Sequence, residues 1–334
     1  MKSNTRVVIL SSDTIALPML EWLAGEGTSA VEIVAVFTQP DRETGRGQRV
    51  QPNGIKLWAQ ARGLSVFQPE KLTEDVRQQL VALQPDLGLV MAYGHILRDD
   101  FIVAPRLGML NFHTSLLPRY RGASPIQTAI ANGERETGVT LMRIVRRLDA
   151  GPIAEVERVA ISPLETALEI DAKLAQACVP LLCRALPRVV AGTQEFAPQD
   201  EAQATYCRKL TKDDGALDFS APATELAARI NGLFPWPGCA VEIAGQNLKI
   251  GLAEALLQVA DAGDARSSAG AVLGADADGV LVATGAGTLR LRRLQRPGGK
   301  MLAAADFLRG FPLTAGTQLP SRPMPALVER RPLK

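Results

Sequence analysis

An amide, an imidazole and a carboxylate stand close together in the chain: Asn111, His113 and Asp149. The first two belong to Met109-Leu110-Asn111-Phe112-His113, a short apolar run that turns polar at its end. Successive side chains of a strand alternate faces, so Asn111 and His113 share one face and Phe112 takes the other. The carboxyl end of a strand is where open α/β sheets bind ligands. Asp149 sits in the turn Leu148-Asp149-Ala150-Gly151-Pro152. A carboxylate beside an imidazole fixes its tautomer and suits it to acid–base work. A neighbouring amide can donate a hydrogen bond to a developing oxyanion. On residue types alone the trio is a candidate site, alongside the structural reading of a strand-end histidine and an ordinary Asp-Ala-Gly turn.

Positioning such a trio requires a sheet and tight turns around it. Ser115-Leu116-Leu117-Pro118 breaks the strand, and Arg119, Arg121 and Gly122 follow as a basic loop. Ser124 as N-cap and Pro125 as first helical residue predict a helix over 125–132 that stops at Gly133. Thr140–Val145 reads as another buried strand. Upstream, apolar runs at Val7–Leu10, Val31–Phe37, Val66-Phe67 and Leu87–Ala92 alternate with helical stretches at 14–24, 55–61 and 73–83. That alternation predicts a doubly wound, parallel-rich sheet. The turn after the first strand is Leu10-Ser11-Ser12-Asp13-Thr14, with no Gly-x-Gly-x-x-Gly, which disfavours a nicotinamide enzyme.

Two further segments stand out. Phe37 to Arg49 carries Arg42, Arg46 and Arg49 with two glycines and almost no apolar content. It reads as an exposed, mobile loop, either plain surface or a phosphate grip. Tyr93-Gly94-His95 ends the fourth apolar run. His95 has no acid at a comparable position and reads as a pocket-edge residue.

The distal half changes character. Residues 166–192 are amphipathic and helical, with Pro180 set to kink them. Residues 191–205 lose periodicity and read as a linker between a first domain, 1–190, and a second, 206–334. After one helix near 223–231, short apolar segments at 239–243, 247–252, 270–274, 279–284 and 287–294 alternate with glycines. They suggest a small β-barrel. In it Arg290 and Arg292 share a face that Arg293, Arg296 and Lys300 extend. Such an edge is either ordinary charged surface or a track for an RNA backbone.

Composition bounds the rest. The chain has 334 residues and a formal charge of +2, enough for two domains and no global pull toward nucleic acid. The four cysteines have no metal-ligand spacing, and two histidines make a protein-bound zinc improbable. The amino terminus reads as a buried strand rather than a signal peptide, and no apolar run has the length of a membrane span. A cytoplasmic protein is expected.

The motifs are more specific than the composition. Asn-x-His-x-Ser-Leu-Leu-Pro, Arg-Gly-Ala-x-Pro-Ile-Gln, Glu-Thr-Gly-Val-Thr and Leu-Asp-x-Gly-Pro-Ile follow in order. This string resembles the signature of the folate-dependent formyltransferases, in particular of the branch that acts on aminoacyl-tRNA. The resemblance covers nearly the whole chain, including Leu233-Phe234-Pro235-Trp236-Pro237. It implies a Rossmann-like formyltransferase domain followed by an OB-like β-barrel. It implies transfer of the formyl group of 10-formyltetrahydrofolate to the α-amine of methionyl-initiator tRNA, with no metal and no obligate protein partner. By the same resemblance Asn111, His113 and Asp149 are catalytic. Ser115, Leu116, Leu117, Pro118, Tyr93 and Gly94 line the folate site. Arg42, Arg46, Arg49 and Lys300 contact tRNA. The sequence departs from the family pattern at Ser11, Ser12, Asp13 and Ile15, where the family has Gly-Thr-Pro and a following Phe. It also departs at Glu165-Thr166-Ala167 and at Gly298-Gly299-Lys300.

Overall fold

The computed structural model describes residues 4–29, 31–44, 49–256 and 268–331. By packing, the chain divides into two compact units that interleave along the sequence. The first comprises residues 1–121, 138–159 and 171–204; the second comprises 122–137, 160–170 and 205–334. The expected boundaries, 1–190, 191–205 and 206–334, follow the order of the chain. The packing instead assigns two internal segments to the second unit and residues 191–204 to the first.

A seven-stranded sheet organises the first unit. Its strands are β1 (Thr5–Ser11), β2 (Val31–Phe37), β3 (Val66–Phe67), β4 (Leu87–Met91), β5 (Met109–His113), β6 (Glu136–Arg143) and β7 (Ile153–Ala160). They lie in the order β7-β6-β5-β4-β1-β2-β3. Pairs β3/β2, β2/β1, β1/β4 and β4/β5 are parallel, and β5/β6 is antiparallel. The central strands are apolar along their whole length because both faces are covered: Val7, Val8, Ile9, Leu87 and Leu89 are fully buried. Strand order reverses at β1 and β4, which opens a crevice at their carboxyl ends.

The helices of this unit follow their local signals. The first stretch opens as a single 3-10 turn, Thr14–Ala16, capped by the Asp13 carboxylate, and continues as α1 (Leu17–Ala24). Asn53 caps α2 (Gly54–Gln60) and Thr73 caps α3 (Glu74–Ala82), each through its side chain. The 125–132 helix is found as α4 (Pro125–Ala131) with Pro125 first, but Ser124 at its N-cap makes no side-chain capping hydrogen bond; residues 125–131 belong to the second unit. The long helix α5 (Ala167–Ala191) runs through Pro180 and Pro187, both on its exposed side. It has the length and composition of a membrane span. Yet its apolar residues form one buried stripe, Leu174, Cys178, Leu181, Leu182, Ala185 and Val189, opposite exposed Lys173, Arg184 and Arg188. That pattern is a core-facing amphipathic helix.

The second unit is a small antiparallel β domain. Strands β8 (Cys239–Ile243), β9 (Gln246–Leu256), β10 (Val272–Ala275), β11 (Val280–Ala283) and β12 (Thr288–Gln295) lie in the order β8-β9-β12-β11-β10. The strand β13 (Leu302–Ala303) pairs with β12. Helix α6 (Ala223–Leu233) packs on this sheet through Leu226, Ile230 and Leu233, and helix α7 (Ala304–Gly310) adds Phe307. The five glycine-punctuated segments match the five strands to within a few residues.

Candidate active site

His113 ends β5, and its ring is buried, with only 6% of the side chain exposed. Nε2 lies 2.9 Å from the carbonyl oxygen of Tyr120. A carbonyl only accepts, so Nε2 carries the proton and Nδ1 is the nitrogen left for exchange. Nδ1 faces Asp149 Oδ2 at 3.7 Å. That separation is ion-pair range and too long for a direct hydrogen bond. Asn111 is two residues back on the same strand face and half-buried, and its amide makes no side-chain hydrogen bond among the described residues. The structure therefore brings Asp149 to His113 and leaves the Asn111 amide available.

The backbone around this group is strained. Among the described residues five non-glycines have positive φ: Gln84, Ala92, Tyr120, Asp149 and Ala244. Three of them, Ala92 (φ 48°), Tyr120 (φ 60°) and Asp149 (φ 47°), lie at this rim. The left-handed region costs a non-glycine on the order of 1–3 kcal/mol, and such residues collect at functional sites. Two of the three carry the groups that face the His113 ring.

The turn after His113 is locked from within. Ser115 Oγ donates to the Arg119 carbonyl at 2.7 Å. Thr140 Oγ1, on β6, donates to the Ser115 carbonyl at 2.7 Å and accepts from Leu117 N at 3.2 Å. Ser115 is fully buried, so its hydroxyl shapes the turn; Leu116 and Pro118 are half-buried and Leu117 buried. At the end of β4 the Tyr93 side chain packs into the apolar core beside Phe101 and Leu97. Burial pushes its phenol well above the ordinary range, and the hydroxyl has no partner among the described residues. What Tyr93 turns to the rim is its carbonyl, which accepts from Ser12 Oγ at 3.0 Å and Gln39 Nε2 at 3.2 Å. Gly94 follows at φ 83°, with the Gln39 carboxamide where a side chain would project.

Ser12 stands in the departure from the family pattern, and its position explains its use. Its hydroxyl donates to Tyr93 at the end of β4 and accepts from Gln39 N beyond β2, at 3.0 Å. One small polar side chain thus ties three strand ends at the crevice. His95 stays at the edge, with Nε2 3.2 Å from the Pro69 carbonyl and its ring against Tyr93.

The arginine segment is more ordered at its base than its composition suggests. Arg42–Thr44 pairs antiparallel with Arg49–Gln51. Asp41 anchors the base through Lys56 Nζ at 2.6 Å and Gln68 Nε2 at 2.7 Å. The hydrogen bond from Gln68 and the Lys56 ammonium hold the Asp41 carboxyl below its usual value. Arg42 reaches Gln39 Oε1 at 3.2 Å, and Arg49 is exposed. Arg46 lies outside the described residues. In the second unit Lys300 is exposed in the turn before β13.

On the basic face of β12 the ion pairs favour the first of the two alternatives, an ordinary charged sheet face. Arg290 and Arg292 do share a face, as alternation requires, but both grip Glu254 on β9, at 3.0 and 2.7 Å. Arg290 also holds Asp276 at 2.5 Å, and Arg292 faces Asp278 at 3.4 Å. Their charge is spent within the sheet. Glu254 lies opposite Arg290 in the strand register, a fact no local pattern reports.

Sequence reading placed Arg121 in a basic loop, where the structure buries it, and missed Gln199 and Glu201. Arg121 is fully buried and pairs with Glu201 at 2.9 Å. The Arg121 guanidinium, helped by Arg147, pulls the Glu201 carboxyl down to about 2. Gln199 accepts from Arg121 Nη2 at 2.7 Å. A buried arginine needs such partners. The only signal in the chain was the arginine itself.

A mostly parallel sheet with a polar, strained rim at its switch point, joined in one chain to a small antiparallel β domain, defines a two-unit α/β protein. Residues 5–186 match the formyl transferase model and residues 209–312 match that of the formyl transferase C-terminal domain. The chain belongs to the formyl transferase family. It is 42% identical over 308 residues to the methionyl-tRNA formyltransferase of Ectopseudomonas mendocina, covering 92% of this chain and 95% of that one. It is 41% identical over 311 residues to the methionyl-tRNA formyltransferase of Halorhodospira halophila, covering 93% and 98%. Among solved structures, the N-formyltransferase of Helicobacter canadensis with folinic acid and dTDP-3-aminofucose superposes with TM-score 0.64 at 16% identity, over 86% of this chain and 98% of that one. HypX of Aquifex aeolicus with tetrahydrofolic acid gives 0.59 at 16% identity. That match takes in 96% of this chain, which spans about half of HypX, 51%. At such identity these two structures speak to fold.

Proposed function

We propose that this chain is a cytoplasmic enzyme that moves the formyl group of 10-formyltetrahydrofolate onto the α-amine of methionyl-initiator tRNA. The observation that carries the reading is the His113–Asp149 pair, 3.7 Å apart at the rim beside the Asn111 amide. The lining fits a reduced folate carrying a polar one-carbon unit: half-buried Leu116 and Pro118, and an Asn111 amide with no side-chain hydrogen bond among the described residues. Ser115 to Pro118, Tyr93 and Gly94 are the residues that would hold it. The bound folate supplies an activated formyl group; the chain's own residues do the rest.

Asn111 donates its amide to the formyl oxygen as negative charge develops there. One such donor is worth about 10²–10³ in turnover. His113 Nδ1 and the Asp149 carboxylate take up the proton that the attacking amine must lose, and Tyr120 keeps the ring in register through Nε2. The new carbon–nitrogen bond forms to the methionyl amine, the bond to the folate nitrogen breaks, and that nitrogen regains a proton. Arg42, Arg46, Arg49 and Lys300 supply positive charge for the tRNA backbone. Residues 1–190 serve as the catalytic domain and 206–334 as the tRNA-binding domain.

The test is formylation of methionyl-tRNA with the folate donor. Asp149→Asn should lower kcat about 10²–10⁴-fold, the range of general acid–base assistance. Arg46→Ala should raise KM for tRNA and leave KM for the folate unchanged. Near-normal kcat in Asp149→Asn would remove the catalytic role. A preference for small free amines over aminoacyl-tRNA would instead favour a formyltransferase of metabolites.

A further inference from the structure

The stretch that reads as a linker runs along the rim of the first unit. The Ala197 amide and carbonyl both pair with Ile153, at 2.8 and 2.7 Å. The Arg143 guanidinium stacks 4.0 Å over the Phe196 ring. Gln199 follows, and both ends of its carboxamide are committed. Nε2 donates to the carbonyls of Asp149 at 2.8 Å and Gly151 at 2.7 Å. Oε1 accepts from Arg121 Nε at 3.1 Å and Nη2 at 2.7 Å.

The two ends of this clamp reach the two partners of His113. Arg121 directly follows Tyr120, whose carbonyl holds Nε2; Asp149 faces Nδ1. The turn being held has a reason to spring away. Asp149 is in the left-handed region at φ 47°, and strained residues persist only where the surroundings over-determine them. Gly151 beside it has no room for a side chain, since a Cβ there would overlap the Arg143 carbonyl oxygen. Two carbonyls pinned by one amide, on either side of Ala150, stop the turn from rotating.

We infer that Gln199 is a positioning residue for formyl transfer, holding the Asp149–Gly151 turn so that the carboxylate faces His113 Nδ1. It touches no reacting atom and acts through Asp149, so the inference rests on the catalytic reading of Asp149 proposed above. The segment 196–201 is therefore part of the working site.

Gln199→Glu separates positioning from folding. It keeps the shape and the acceptor for Arg121 but loses the amide donor to the turn. The expected result is a kcat lower by about tenfold to a hundredfold, the effect of misplacing a catalytic group by an ångström or less. Both KM values should stay within about twofold because the binding residues are kept, while the Tm falls because an oxygen now faces the two carbonyls of the turn, so kcat is compared well below the variant's own Tm. Wild-type kcat, or a change confined to KM, would overturn the inference. Should Gln199→Glu not fold, Gln199→Met assayed well below its own Tm is judged by the same split. Asp149→Asn run alongside keeps the two ideas apart: normal turnover there sinks the reading of Asp149, and this role with it. Loss there with none in the Gln199 variants sinks the positioning role alone.

Discussion

Two residues illustrate how single side chains are set by what faces them. His113 has an oxygen at each ring nitrogen, and the Tyr120 carbonyl decides which nitrogen is spent. Asp171, on α5, is a different case: burial, with the Asp13 carboxylate facing it, pushes its carboxyl from 3.8 up to about 6. The folded chain therefore holds this proton more tightly than the unfolded one. Its contribution to stability is complete below 3.8 and is lost as pH rises through about 6. Asp171→Asn, neutral throughout, should raise Tm at pH 8 by about 2–4 °C, what about 1 kcal/mol gives a domain of this size. At pH 3.5 the two proteins should melt together, and a stabilisation of equal size at both pH values would refute the assignment. Asn111 and His113 could be paired from sequence because the strand period is two and both lie on one strand. Gln199 could not, since nothing local distinguishes it from any polar linker residue.

Elements meet where glycine or charge allows it. Within the second unit α6 crosses α4 at Gly232, where a Cβ would fall 2.7 Å from Ala131 Cα and 2.8 Å from Ala131 Cβ. The contact is backbone-close because no side chain intervenes. Gly232→Ala should destabilise the chain by about 1–3 kcal/mol, the usual cost of overpacking, seen as a lower denaturant midpoint with unchanged slope. An unchanged midpoint would show that the helices part without cost. In the sheet, Glu254 serves two guanidiniums at once. Glu254→Ala should free positive charge on β12, and the slope of log affinity for tRNA against log salt should steepen by about 1–2. A slope equal to wild type would mean that Asp276 and Asp278 suffice to hold both arginines. Strand positions were readable from glycine punctuation; the cross-strand acid was not, because register is a property of two segments.

At the scale of the whole chain, the two units share the sequence without dividing it in order. The segments 122–137 and 160–170 precede the β domain in sequence yet pack with it, while 191–204 packs with the sheet. Sequence by itself determined the alternation of strands and helices, the short β strands that follow, and that Asn111 and His113 share one strand face; the family came through its ordered motifs. Those depend on local period, capping and residue type, which a linear string carries in full. Tertiary structure alone decided that Gln199 holds the Asp149 turn, that Ser12 ties three strand ends, and that Arg290 and Arg292 are neutralised. Each of these joins residues remote in sequence, and such contacts exist only once sheet order and register have brought the partners together.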